Sequence, residues 1–116
     1  METDAAATPR PRDVDAREFR AELDAALADD ELVLVDFYTA GCTLCRSVEP
    51  VLDSVARATG VPILTVNPKD DPSLVEEHAI RSVPSLVLFD ADGEVDRLAE
   101  GFVGAERLVE LVENHR

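Results

Sequence analysis

The chain has 116 residues, 46% of them hydrophobic, which suits a single domain with a buried core and excludes a disordered protein. Its formal charge of −14 argues against nucleic acid and anionic membranes as partners, because both are polyanions that would repel it. No apolar run approaches the length needed to span a bilayer.

Residues 1–13 combine Ala, Thr, Pro and charge without periodicity and are expected to form a flexible arm ahead of a domain over 14–116. The start METDAAATPRPRDVD lacks a basic segment followed by an apolar one, so the expectation is a soluble cytoplasmic chain rather than a secreted one. From Val14 the pattern turns helical, with Phe19, Leu23, Ala26 and Leu27 on one stripe and Asp13 or Asp15 as the cap. Asp29-Asp30-Glu31 ends that helix. Leu32-Val33-Leu34-Val35 then reads as a buried strand. After Ala40-Gly41 a second helical stripe, Leu44, Val48, Val51, Leu52, Val55 and Ala56, runs to about Thr59, and Gly60 suits its C-terminal cap. Val61 to Val66 reads as a second strand. Asn67 to Pro72 is turn chemistry leading into a short helix through about His78. Ser85 to Phe89 forms a third strand, Ala91-Asp92-Gly93 a hairpin turn, and Glu94 to Glu100 a fourth strand. Leu108, Leu111 and Val112 mark a closing helix. Strand, crossover helix, strand units imply parallel pairing at the centre, and the final hairpin adds an antiparallel edge. The expected fold is α/β: a central mixed sheet of four strands covered by helices on both faces.

Both cysteines fall where the first strand gives way to the second helix, at Cys42-Thr43-Leu44-Cys45. In a reducing compartment this spacing marks redox-active or metal-binding thiols more often than a structural staple. Residues three apart on a helix share a face, so the two sulfurs come within bonding range with little backbone movement. The free N–H groups and dipole of the first turn favour a thiolate at Cys42 over Cys45. Cys42 is therefore expected as the nucleophile and Cys45 as the resolving thiol of a dithiol exchange.

Val35-Asp36-Phe37-Tyr38-Thr39-Ala40-Gly41-Cys42-Thr43-Leu44-Cys45 resembles the strand and active-site motif of the thioredoxin family. Pro50 is similar to its helix-kinking proline, Ile80 to Leu86 to its cis-proline segment, and Asp92-Gly93-Glu94 and Gly101-Phe102-Val103-Gly104 to its hairpin and last glycine turn. The resemblance covers Val14 to the end and implies a thioredoxin-like fold whose first strand is missing or reduced to a few residues near Val14. It implies a protein-disulfide oxidoreductase acting mainly as reductant, with no cofactor and no metal, and with a disulfide reductase or a low-molecular-weight thiol as electron donor. It further implies that Asp36, costly in an apolar strand unless paired or protonated, moves the proton of Cys45. Pro84 is expected to be cis and to face the cysteines. The Val83 backbone would pair with an extended substrate segment, and Gly41 and Gly101 would complete the docking surface.

Gly41 stands where the family usually has tryptophan, and Thr43-Leu44 where it has Gly-Pro. Thr65 stands in place of a lysine that commonly neighbours the buried aspartate. A redox-slow adaptor module is the alternative function; loss of a cysteine would signal it, and both are present. Two thiolates supply half of a tetrahedral zinc shell and need a partner to complete it. His78 and His115 are expected at the solvated surface. No phosphate loop or dinucleotide fingerprint occurs. Of 11 basic residues only Lys69 is lysine, an acid-rich, arginine-for-lysine balance like that of proteins from salt-loving cytoplasms. A monomer is expected.

Overall fold

The computed structural model describes residues 10–116. Within them five strands form one sheet in the order β1-β3-β2-β4-β5. They are β1 (Arg12–Val14), β2 (Val33–Phe37), β3 (Ile63–Val66), β4 (Ser85–Asp90) and β5 (Gly93–Leu98). β3 pairs in parallel with β1 and β2, and β4 pairs antiparallel with β2 and β5. The mixed sheet is as expected from the crossover pattern, but it has a fifth strand. β1 is three residues long with only Val14 buried, too short to carry a period in the sequence. The expected boundary at Val14 falls inside this strand, since Arg12 and Asp13 pair with Leu64 and Thr65. Residues 1–9 of the expected arm lie outside the described residues.

Four α-helices among the described residues cover the sheet: α1 (Phe19–Asp29), α2 (Thr43–Thr59), α3 (Ser73–Glu77) and α4 (Ala105–Glu113). Asp15 caps a short 3₁₀ turn ahead of α1, its carboxylate accepting the Arg17 amide at 2.8 Å. α2 ends on Gly60, whose φ of 74° is the left-handed conformation that glycine adopts without a Cβ penalty. Side chains alternate along β2, and this alternation sorts the core into two clusters. Leu34 faces Val48, Leu52 and Val55 of α2 and Leu108 and Val112 of α4. Val33, Val35 and Phe37 face Phe19 and Leu23 of α1 and Leu74 of α3. Asp36 therefore points to the α2 face, the side on which the cysteines lie. β5 ends at Leu98, two residues short of the expected Glu100.

His78, expected at the surface, is largely enclosed. Its ring centroid lies 5.8 Å from that of Phe19, 5.4 Å from Phe37 and 5.6 Å from Phe89. The one-turn α3 is too short for its polar positions to tell which side meets the sheet. Arg97 of β5 closes that turn, donating to the carbonyls of His78 at 2.7 Å and Ala79 at 3.2 Å. His115 is exposed but paired, 3.0 Å from Asp96.

Candidate active site

β2 runs apolar to its end at Phe37, apart from Asp36, and Gly41, at φ 79°, turns the chain into α2. A residue with a side chain would be strained at that angle. Cys42 is the N-cap of α2, with extended backbone angles, and its Sγ accepts the Cys45 amide at 3.1 Å. Cys42 and Cys45 are joined as a disulfide, with their Cα atoms 5.2 Å apart. Cys42 is half-buried, while Cys45 is only 3% exposed. Of the two sulfur-bearing residues, the one at the helix mouth is thus the more accessible. On reduction, the amide already directed at Cys42 and the positive end of the helix favour its thiolate.

Asp36 lies beneath the pair on the same sheet face, 2% exposed. Its Oδ1 is buried and has no hydrogen-bond partner among the described residues. Burial first, then the negative charges of Glu49 and Asp13, push its pKa up from 3.8 to about 7. A carboxyl poised there holds or accepts a proton under ordinary conditions, as a general acid or base requires. Asp36 and Cys45 share a cleft of about 440 Å³ whose lining also includes Tyr38, Glu49 and Thr65. Thr65, the register partner of Asp36 on β3, donates to Asp13 Oδ1 at 2.8 Å, and the Tyr38 hydroxyl donates to the same oxygen at 2.7 Å. A threonine hydroxyl, not a cation, thus stands beside Asp36 on the neighbouring strand. Sequence reasoning assigns Asp13 only a possible capping role and Glu49 none. Glu49 follows Cys45 by four residues on one helix face, a spacing that places it beside the same site.

The Val83–Pro84 bond is cis. Ser85, the next residue, pairs with Phe37, so Val83 and Pro84 lie at the end of the sheet where β2 leads to the cysteines. Gly101, at φ 89°, abuts Leu44, the residue before Cys45; a Cβ there would sit 3.7 Å from Leu44 Cδ1. Leu44 and Phe102 are the large hydrophobic side chains left exposed among the described residues, at 46% and 53%. The structure thus gathers Gly41, Cys42, Val83, Pro84 and Gly101 at one end of the sheet, with Asp36 and Cys45 behind them.

The thioredoxin family model matches residues 12–114. A thioredoxin from Chlamydia caviae is 38% identical over 85 residues, 72% of this chain and 82% of the relative. A point-mutant thioredoxin from Halobacterium salinarum NRC-1 superposes with a TM-score of 0.80 at 30% identity, covering 90% of this chain and 89% of that one. A thioredoxin f2 solved in complex with ferredoxin:thioredoxin reductase shares the fold, with a TM-score of 0.79 at 23% identity over 92% of this chain and 96% of that one. With its cysteine pair at the mouth of α2, on a sheet that these relatives share, the chain belongs to the thioredoxin family of protein-disulfide oxidoreductases.

Proposed function

We propose that the chain works as a reductant of protein disulfides, with Cys42 as nucleophile, Cys45 as resolving thiol and Asp36 as proton acceptor. The carrying observation is the graded exposure of the site: a half-buried Cys42 at the helix mouth, a buried Cys45 one turn in, and an unpartnered Asp36 in the cleft beside it. In the first step the Cys42 thiolate attacks one substrate sulfur. The substrate S–S bond breaks, its other sulfur leaves with the electron pair, and a mixed disulfide remains. In the second step Cys45 loses its proton to the Asp36 carboxylate and attacks Cys42 Sγ. The internal disulfide forms and the second substrate sulfur departs as a thiolate. The substrate is reduced by two electrons and the chain oxidised by two.

Gly41, Val83, Pro84 and Gly101 form the docking surface in this reading, with the Val83 backbone pairing to an extended substrate segment. A disulfide reductase or a low-molecular-weight thiol returns the electrons. The chain is a cytoplasmic monomer adapted to high salt, and its charge of −14 supports that adaptation. Its melting temperature is therefore expected to climb steeply from low to molar salt; indifference to salt would remove the halophilic reading.

The test of direction is the midpoint potential of the cysteine pair, equilibrated against defined thiol buffers in molar salt. A reversible two-electron transition at or below about −230 mV supports the reductant. A clearly higher value would assign an oxidising or glutaredoxin-like role. Lack of any reversible transition would return the adaptor alternative or a metal site completed by a partner.

A further inference from the structure

The cleft beside Cys45 is unusually acidic for a place where a carboxylate must accept a proton. Asp36 forms its floor. Asp13 from β1 and Glu49 and Asp53 from α2 supply negative charge around it, and Arg10 is the one basic residue in its described lining. These carboxylates are not grouped closely enough to hold a metal ion between them. Nor are their surroundings equivalent. Asp13 accepts two hydrogen bonds, from Tyr38 and Thr65. Glu49 is exposed at the rim and lies one helical turn beyond Cys45. Asp36 Oδ1, buried in the same cleft, has no donor among the described residues to offset the charges around it.

We propose that Glu49 is a positioning residue that acts through Asp36: its carboxylate, facing the cleft beside Cys45, keeps the proton on Asp36 and so raises the pH at which Cys45 resolves a mixed disulfide. The inference rests on Asp36 being the proton acceptor. Its physical basis is that a fixed negative charge disfavours a second one nearby, most strongly where water is largely excluded. Glu49 is itself a cause of the raised Asp36 pKa, second only to burial. The consequence is a gated resolving step. Below neutral pH the mixed disulfide persists, and above it Cys45 is released to close the internal disulfide.

The experiment uses the reduced chain mixed with one equivalent of dithiobis(nitrobenzoate). Attack by Cys42 releases one coloured thiolate, and resolution by Cys45 releases the second. Stopped-flow rates of the second release, from pH 5 to 9 at fixed ionic strength, give the midpoint of the resolving step. For Glu49→Gln the midpoint is expected to fall by about half a pH unit or more, and for Glu49→Lys further. Glu49→Asp should return it toward the parent value, and the first release should be unaffected. An unchanged or raised midpoint in both the Gln and Lys variants would overturn the proposal. Asp36→Asn separates the two layers. If it abolishes the titration while the Glu49 variants leave the midpoint in place, only the role of Glu49 falls. If the titration survives Asp36→Asn, the assignment of Asp36 falls and takes Glu49 with it.

Discussion

Among the described residues, the two faces of the sheet each bury one ionisable side chain with an unpartnered polar atom: Asp36 on the α2 face and His78 on the α1 face. Their surroundings differ in one respect. Asp36 opens onto a cleft that it shares with Cys45 and three further carboxylates, so its proton has somewhere to come from and go to. His78 is packed against Phe19, Phe37 and Phe89, and its Nε2 stands 3.6 Å from a carboxylate oxygen of Glu77. Burial raises the pKa of the aspartate and lowers that of the histidine, so both are driven toward their neutral forms. In the proposed mechanism the desolvated carboxyl that shares a cleft with Cys45 takes up the proton of the resolving cysteine. A neutral imidazole among aromatic rings is a piece of core.

The largest expected effect lies on the α2 face, at the cysteines. Cys42→Ser should abolish disulfide reduction, whereas Cys45→Ser should accumulate a mixed disulfide with the substrate that mass spectrometry detects. If the Cys42 variant still turned over, the nucleophile would be misassigned. Next comes Asp36→Asn, expected to slow the resolving step by roughly two orders of magnitude near neutral pH, at the lower end of what a general base contributes. The same variant should gain stability, and the sign follows from linkage. Between pH 3.8 and about 7 the unfolded chain releases a proton that the folded chain retains, so the parent loses stability as pH rises through that window. Above pH 7 the full cost is present, at most ~4 kcal/mol, and Asn removes it. Equal urea midpoints for parent and variant at pH 8 would contradict the burial of an ionised Asp36.

The smallest effect is expected on the other face. His78→Leu should leave disulfide reduction intact and add about 1 kcal/mol by removing an unsatisfied buried nitrogen. Here the pH dependence runs the other way. Below pH 6.5 the unfolded imidazole takes up a proton that the folded one resists, so the parent loses stability as pH falls, and the leucine variant should lose less. A variant with altered reduction rates would break the contrast between the faces.

The asymmetry between the faces is unevenly legible in the chain. Asp36 stands out because a carboxylate in an apolar strand is costly, and the cysteine pair because a strand gives way to a helix at its spacing. The Val33 to Phe37 and Thr43 to Thr59 elements carry long, clean patterns and appear nearly where those patterns put them. Asp13 offers no such signal. It lies in a three-residue strand, and its contacts to Tyr38 and Thr65 join residues 25 and 52 positions away. His78 is misplaced by sequence reasoning because a five-residue helix gives polar positions no stripe against which to judge them. Glu49 looks like any charged residue on the outer side of a helix, and only the cleft gives it a neighbour.

The α2 face is expected to hold a carboxyl group, that of Asp36, that stays protonated up to neutral pH. Carboxyl-labelled carbon NMR of Asp36 in the oxidised chain tests it directly. A titration midpoint near 7 is the expected result. A midpoint of about 4, the range of a solvated aspartate, would contradict the account and leave the cysteines without their proton acceptor.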